Sequence, residues 1–493
     1  MAKKYIFPES RPHIPWDPNR EYPTILELIR SYSESETYSL HMPGHKRNTQ
    51  KFGSSLPYAL DMTESIGMAN LHDPADGIIE RKQNELAKEF GAFHSFFMIN
   101  GSSGGILAGL RTLTERGDRI VVARNCHKSA YHAIELCQLN PIYVLPEVDQ
   151  KFGIYESIDP DTIEKTLEAN PETTVVLITS PNFDGVLSDV RSIANICHEH
   201  GVLLMVDEAH GAHLHYMDEF EDSVSCGADL VIQSLHKTLP ALTSTSVAHI
   251  SNRVDPYSMA RNLSIFETTS PNHILLASID ECLEYMYAEG RSQYEWLHEV
   301  LAEISEKFND LQHLQVYGMG EDREEDHPNC FMHDPTKIVI STFETNIYGK
   351  QLIEELRKRH FELEMCYGNY VLAMVTLGDT EEGLLSFADA LLEIDAALSE
   401  ESELDAPIFP DIPEKDMLIY DTLEYPHKEV SLQDSIGRIS HEYIWAYPPG
   451  IPLLVPGERI DEAMISRMNQ LTKQGITLKS SSHGLPDVIN VIG

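Results

Sequence analysis

Short apolar runs separated by helical stretches recur through the middle of this chain, and that alternation restricts its fold more than any other feature. Ser95-Phe-Phe-Met-Ile, Ile120-Val-Val-Ala, Ile142-Tyr-Val-Leu, Thr174-Val-Val-Leu-Ile-Thr, Val202-Leu-Leu-Met-Val and Leu230-Val-Ile each read as a strand. Segments of helical length and pattern lie between them. Strands alternating with helices in this way predict an α/β fold with a largely parallel sheet.

The pattern also divides the chain. Residues 1–70 are expected to form an arm and linker, and 71–310 the large α/β domain. Two long helical patterns are expected over 271–310. A small α/β domain over 311–400 would use Lys337-Ile-Val-Ile-Ser and Tyr370-Val-Leu-Ala-Met-Val as strands. Helices are expected at 348–360 and 381–398. An acidic, proline-punctuated stretch then leads into a C-terminal α+β region, 401–493.

Charge narrows the possible partners. The 37 Lys and Arg stand against 78 Asp and Glu, a net charge of −41. Such an excess opposes binding to a phosphate backbone and is compatible with attraction of a cationic small molecule. No run reaches the roughly 18–20 apolar residues of a membrane span, and the N-terminus lacks the apolar core of a secretion signal. Seven scattered cysteines, an odd number, fit reduced thiols in the cytoplasm.

Two segments carry the chemistry. Ser234-Leu-His-Lys follows the strand at Leu230, with Lys237 just past its end. Leu203-Leu-Met-Val-Asp-Glu-Ala-His places Asp207 at the end of an earlier strand. A lysine amine can condense with the aldehyde of pyridoxal 5'-phosphate, and an aspartate can keep the pyridine nitrogen protonated so that the ring accepts electrons. Asp207 at the carboxyl end of a parallel strand would face the crevice where α/β ligands bind. Asn100-Gly-Ser-Ser-Gly-Gly leaves a strand and opens a helix, so its amides with Ser102 and Ser103 would cradle a phosphate. Ser234 could add a hydroxyl there. His127, just beyond Ile120-Val-Val-Ala, could stack on the cofactor ring or merely cap a helix.

Two other readings are set aside. Asp207-Glu-Ala-His spells a box found in certain helicases, but no Gly-x-x-x-x-Gly-Lys-Ser/Thr run accompanies it. His210, His213 and His215, or Cys197, His198 and His200, lack the second cluster of a zinc site, so no metal is expected.

Taken together, Pro43-Gly-His-Lys, Leu71-His-Asp-Pro-Ala-Asp-Gly, Asn100-Gly-Ser-Ser-Gly, Arg124-Asn-Cys-His-Lys-Ser, Asp207-Glu-Ala-His-Gly, Ser234-Leu-His-Lys, Thr268-Thr-Ser-Pro and Tyr447-Pro-Pro-Gly-Ile-Pro-Leu-Leu-Val-Pro-Gly-Glu occur in order. The chain thereby resembles the Orn/Lys/Arg decarboxylases, fold-type-I (aspartate aminotransferase-like) pyridoxal-phosphate enzymes, and within them the short bacterial form similar to biosynthetic arginine decarboxylases. The resemblance implies Lys237 as the Schiff-base lysine, Asp207 as the pyridinium partner and His127 as the ring-stacking residue. Ser102, Ser103, His210, Ser234 and His236 fall among the cofactor contacts. Thr268 and Thr269 would reach the phosphate of the other subunit of a homodimer.

The implied reaction is decarboxylation of a basic amino acid: arginine first, then lysine, then ornithine. Lys237, His236 or a water would return a proton to Cα. Asp73 and Glu458 are the candidate carboxylates for the cationic end of the substrate. A fold-type-I aminotransferase or lyase is the alternative.

Overall fold

The computed structural model describes residues 24–34, 49, 54, 57, 59–63, 70–72, 77–322, 326–399, 409, 411–447, 450–482, 484–485 and 488–493. Asp73 and the Pro43-Gly-His-Lys segment lie outside them. Two compact units emerge, Met1–Leu113 with Leu204–Tyr294, and Thr114–Leu203 with Glu295–Gly493.

In the first unit four strands run in the order His94–Met98, Ser246–Ile250, Leu230–Ser234, Leu203–Asp207. The last two are parallel, with Asp207 opposite Ile232. Ser246–Ile250 is antiparallel to both its neighbours, so the sheet is mixed. That strand, Ser-Val-Ala-His-Ile, was absent from the sequence expectation because its polar Ser246 and His249 break the apolar pattern. It is nevertheless buried at all five positions, as is Leu230–Ser234, which implies cover on both faces.

The second unit holds three parallel strands in the order Thr173–Thr179, Arg119–Ala123, Asn140–Val144. A four-stranded antiparallel sheet contains Lys337–Ser341 and Tyr370–Met374, the two strands expected there. Helices Gly349–Lys358 and Glu381–Asp395 accompany it. In the C-terminal region Ile444–Tyr447 pairs with Pro452–Leu454 and Thr477–Ser480, and His427–Ser431 pairs with Val488–Ile492. Ile444, Leu454, Ile460, Met464 and Met468 form their core with Ile489 and Val491.

Where two long helices were expected, one helix of 36 residues, His273–Phe308, runs through. Gly290 does not interrupt it, because the glycine serves close packing: a Cβ there would lie 2.7 Å from Met286 Cε and 3.1 Å from the Tyr216 ring.

Beside that helix, Lys82 is buried with its Nζ 3.0 Å from Asp280 and a further contact to Glu284. Asp280 also accepts the Ile25 amide at 2.9 Å, which pins the start of helix Ile25–Glu34. Burial opposes the charge on Lys82, but Asp280, Glu284 and Glu85 outweigh it and hold the ammonium above its usual range. No described helix is long and apolar enough to cross a membrane, and none of the seven cysteines is in a disulfide.

Candidate active site

The first unit gathers most of the expected cofactor residues. Asp207 ends one strand, Ser234 ends its parallel neighbour, and the short helix Leu235–Thr238 carries Lys237 directly after it. Parallel pairing therefore delivers a carboxylate and an amine to the same end of two adjacent strands. Asp207 is only 3% exposed and accepts the Ala209 amide at 3.2 Å. Burial raises its pKa, while the charge of Lys237 pulls it back. A buried carboxylate in this state gains most from a cation placed against it.

Lys237 Nζ lies 3.0 Å from His210 Nε2, and His210 is itself buried. His210, assigned above only by family likeness, thus has a definite local role as the hydrogen-bond partner of the lysine. His236 faces elsewhere: its Nδ1 donates to the Thr245 carbonyl at 2.9 Å, and burial lowers its pKa.

The glycine-serine turn starts helix Gly101–Leu113. Gly101 has φ +68°, which L side chains rarely adopt, and its amide bonds to Ser244 at 2.9 Å. Ser234 Oγ donates to Ser102 Oγ at 2.9 Å, so two hydroxyls meet at a helix N-terminus, beside free amides. Ser103 occupies the same first turn. The glycines after the serines have a separate reason. A Cβ on Gly105 would meet Met98 at 2.8 Å and Ile232 at 3.0 Å, and one on Gly109 would meet Met205 at 2.7 Å. They let the helix lie close on the strands that bear the site.

Several supporting residues escaped the sequence reading. Glu267 accepts the Ile99 amide at 2.8 Å and the Asn100 amide at 3.4 Å, fixing the entry to the turn. Glu208, next to Asp207, accepts Ser223 N and Oγ at 2.8 and 2.6 Å and Gln233 Nε2 at 2.6 Å. Gln233 Oε1 in turn meets His249 Nε2 at 3.3 Å, and His249 Nδ1 meets Ser95 Oγ at 2.8 Å.

Burial pushes His249 down to about 3, so the ring is neutral and carries one proton. Donation from Nε2 to Gln233 leaves Nδ1 as acceptor for Ser95, and every donor in the chain points toward Glu208. Burial together with Asp222 pushes Glu208 up to about 8. These side chains alternate with Asp207 and Ser234 along their strands, so the network braces the site from the opposite face of the sheet. Only the position of Glu208 and Gln233 one residue from the site could have signalled it.

Thr268 and Thr269 are exposed, and the Thr268 carbonyl lies 2.8 Å from His72 Nε2.

In the second unit His127 caps helix Lys128–Cys137, its Nδ1 accepting the Ser129 amide at 3.3 Å and lying 2.8 Å from Ser129 Oγ. The capping alternative raised from sequence is therefore the contact seen; stacking on a ring would use the face of the imidazole, not Nδ1.

Glu458 corrects an expectation. It is fully buried, with Oε1 2.8 Å from Arg124 Nη1 and Oε2 2.9 Å from Nη2. Oε2 also accepts the Val455 amide at 2.9 Å, and Arg124 donates to the Leu453 carbonyl at 3.0 Å. Both oxygens are committed to an internal ion pair rather than left for a cationic substrate. The preceding Gly457 is required by its φ of +93° and by the Met417 carbonyl, which a Cβ would approach to 2.3 Å.

Fold and site together set a lysine and a buried carboxylate at the same end of adjacent parallel strands in an α/β fold. The family description "Orn/Lys/Arg decarboxylase, major domain" matches residues 23–383, and the C-terminal domain of the same family matches 416–477. The chain belongs to the Orn/Lys/Arg decarboxylase family. An arginine decarboxylase of Bacillus anthracis is 30% identical over 487 residues, 96% of this chain and 97% of that protein. The lysine decarboxylase LdcF of Francisella novicida shares the fold with a TM-score of 0.79 at 19% identity, over 96% of this chain and 81% of that one. A ureidoglycine-glyoxylate aminotransferase of Bacillus subtilis aligns with a TM-score of 0.52 at 15% identity, over 69% of this chain and 89% of that one.

Proposed function

We propose that the chain decarboxylates a basic L-amino acid with pyridoxal 5'-phosphate, arginine being the first choice, then lysine, then ornithine. The observation that carries this reading is Lys237, bonded to His210 at 3.0 Å, just past the strand parallel to the one that ends in buried Asp207. Bacillus arginine decarboxylase, matched over nearly the whole of both chains, supports arginine as the first choice.

The donor set fits the cofactor. The charge of Lys237 acts on the buried carboxylate, Asp207 is suited to a protonated ring nitrogen, and the hydroxyls of Ser102, Ser103 and Ser234 with the helix amides suit a phosphate. His127 keeps the ring-stacking role that the family likeness assigns. When bound, the cofactor supplies an electron sink for the bond to the departing carboxylate.

The residues do the rest. Asp207, held in a dry setting, stabilises positive charge opposite it throughout the reaction. The proton that replaces carbon dioxide at Cα is assigned to Lys237 Nζ. His236 is a poor donor, since burial disfavours its protonated form and its Nδ1–H is engaged by Thr245. His210 Nε2 is placed to receive or replace a proton on Lys237. Asp73 is the carboxylate proposed to meet the cationic end of the substrate. The exposed Thr268 and Thr269 are assigned to a homodimer contact near the partner's phosphate site.

The test is carbon dioxide release from purified, cofactor-loaded protein offered arginine, lysine and ornithine separately. Release from arginine above the others supports the reading, and loss of release in Lys237→Ala assigns the lysine. Silence on all three with cofactor bound sinks it.

A further inference from the structure

The second unit contains a small cavity of about 50 Å³, lined by Tyr155, Asp184, Tyr367, Tyr370, Phe409 and Arg467 among others. Arg467, on helix Glu462–Lys473, is 4% exposed. Its partners are all neutral. Nη1 donates to Gln470 Oε1 at 2.9 Å and Nη2 to the Tyr367 hydroxyl at 3.3 Å, and the guanidinium lies 5.6 Å from the Tyr367 ring centroid and 5.2 Å from that of Phe409.

Among the described residues no carboxylate lies within ion-pair distance of it. This is not for want of acids, because the chain has 78 of them against 37 basic residues. Of the two carboxyls on the cavity wall, Asp411 is exposed, and the buried Asp184 is engaged by the Tyr370 hydroxyl at 2.7 Å. Burial pushes it up to about 7, so it is a weak counter-charge. A buried cation without an anion is unfavourable, and a residue kept only for packing there would serve better as methionine or leucine.

We propose that this cavity is a binding site for a small oxyanion, a carboxylate or phosphate group, received by the uncommitted N–H donors of Arg467. The guanidinium fork matches the two oxygens of such a group. Tyr155 supplies a second donor: its hydroxyl makes no hydrogen bond among the described residues. Burial keeps it protonated, with a pKa of about 12. The rings of Tyr155 and Phe409, edge to face at 5.4 Å, form an apolar wall for whatever carries the anion. The decarboxylation reading plays no part in this assignment.

The experiment uses full-length protein saturated with pyridoxal phosphate, so that its own phosphate site is filled. Thermal unfolding midpoints and calorimetric titrations are recorded with inorganic phosphate, citrate and acetate, against chloride at equal ionic strength. At least one oxyanion is expected to raise the midpoint saturably, and comparison of the three separates phosphate from carboxylate. Arg467→Met is expected to weaken that binding about 10- to 100-fold, the range of one or two charge-assisted bonds. A purely structural arginine would instead destabilise the protein when removed and leave the oxyanion response unchanged. If Arg467→Met does not fold, Arg467→Lys and Tyr155→Phe are read in its place, with weaker binding expected in both. No saturable response in the wild type, or an unchanged response in the variants that fold, overturns the proposal.

Discussion

Glu458→Ala separates two roles for one residue, substrate recognition and internal ion pairing. In the structure the carboxylate meets Arg124 through two contacts of 2.8 and 2.9 Å, and the side chains are 0% and 6% exposed. Removing it leaves a buried guanidinium with the Leu453 carbonyl and the faces of Tyr143 and Tyr131, whose centroids lie 4.9 and 5.6 Å away. Breaking a buried pair from one side costs about 3–5 kcal/mol, most of it from the stranded charge. Glu458→Gln keeps an acceptor for Val455 or Arg124 and should cost about 1.5–3 kcal/mol. The double variant Glu458→Met with Arg124→Met should recover most of the loss, because no charge is then left behind. Urea unfolding followed by tryptophan fluorescence is a suitable assay, since Trp445 lies on the strand paired with Pro452–Leu454. A Glu458→Ala protein with an unchanged midpoint but a raised KM for its basic substrate would refute the ion-pair argument and restore the substrate role.

Other outcomes follow from the same geometry. Lys82→Met strands Asp280 and Glu284 in a buried setting and should destabilise by about 3–5 kcal/mol, with the protease sensitivity of helix Ile25–Glu34 rising in parallel. Gly457→Ala combines a φ of +93° with a carbonyl 2.3 Å from the new Cβ, and should cost at least about 1–3 kcal/mol in urea unfolding. His327 lies with Nδ1 2.8 Å from Asp149 and Nε2 2.6 Å from Asp322; burial opposes its charge, but the two carboxylates raise it from 6.5 to about 9. Its folded value is the higher one, so its stabilisation is full below pH 6.5 and fades as pH rises through about 9. Wild type should therefore lose its stability advantage over His327→Gln across that window, and a constant difference would contradict the assignment. His210→Gln should shift the pH at which the cofactor–lysine absorption band changes, whereas an unmoved band would remove His210 from the proton path.

Much of the candidate site was legible because its residues sit at fixed offsets from recognisable strands. Lys237 and Asp207 each follow an apolar run, and the glycine-serine turn leaves another, so their placement needed only local pattern and the rule that ligands meet strand carboxyl ends. Glu458 was misread because an acidic residue after Pro-Gly looks the same in sequence whether it faces substrate or Arg124, which is 334 positions away. The strand Ser246–Ile250 was missed for a related reason. Ser246 and His249 look like surface residues, yet His249 is 1% exposed and bonded to Gln233 and Ser95.

The sequence by itself determined the α/β class, the strand ends that carry the amine and the carboxylate, and membership of a decarboxylase family. These depend on periodicity and on residues close together along the chain, where backbone geometry leaves few choices. Tertiary structure alone decided which charges face each other: Arg124 with Glu458, Lys82 with Asp280, Lys237 with His210, and Arg467 with no carboxylate among the described residues. The energy of a charge depends on what lies within a few ångströms and on how much water is excluded, and neither quantity is written in sequence order.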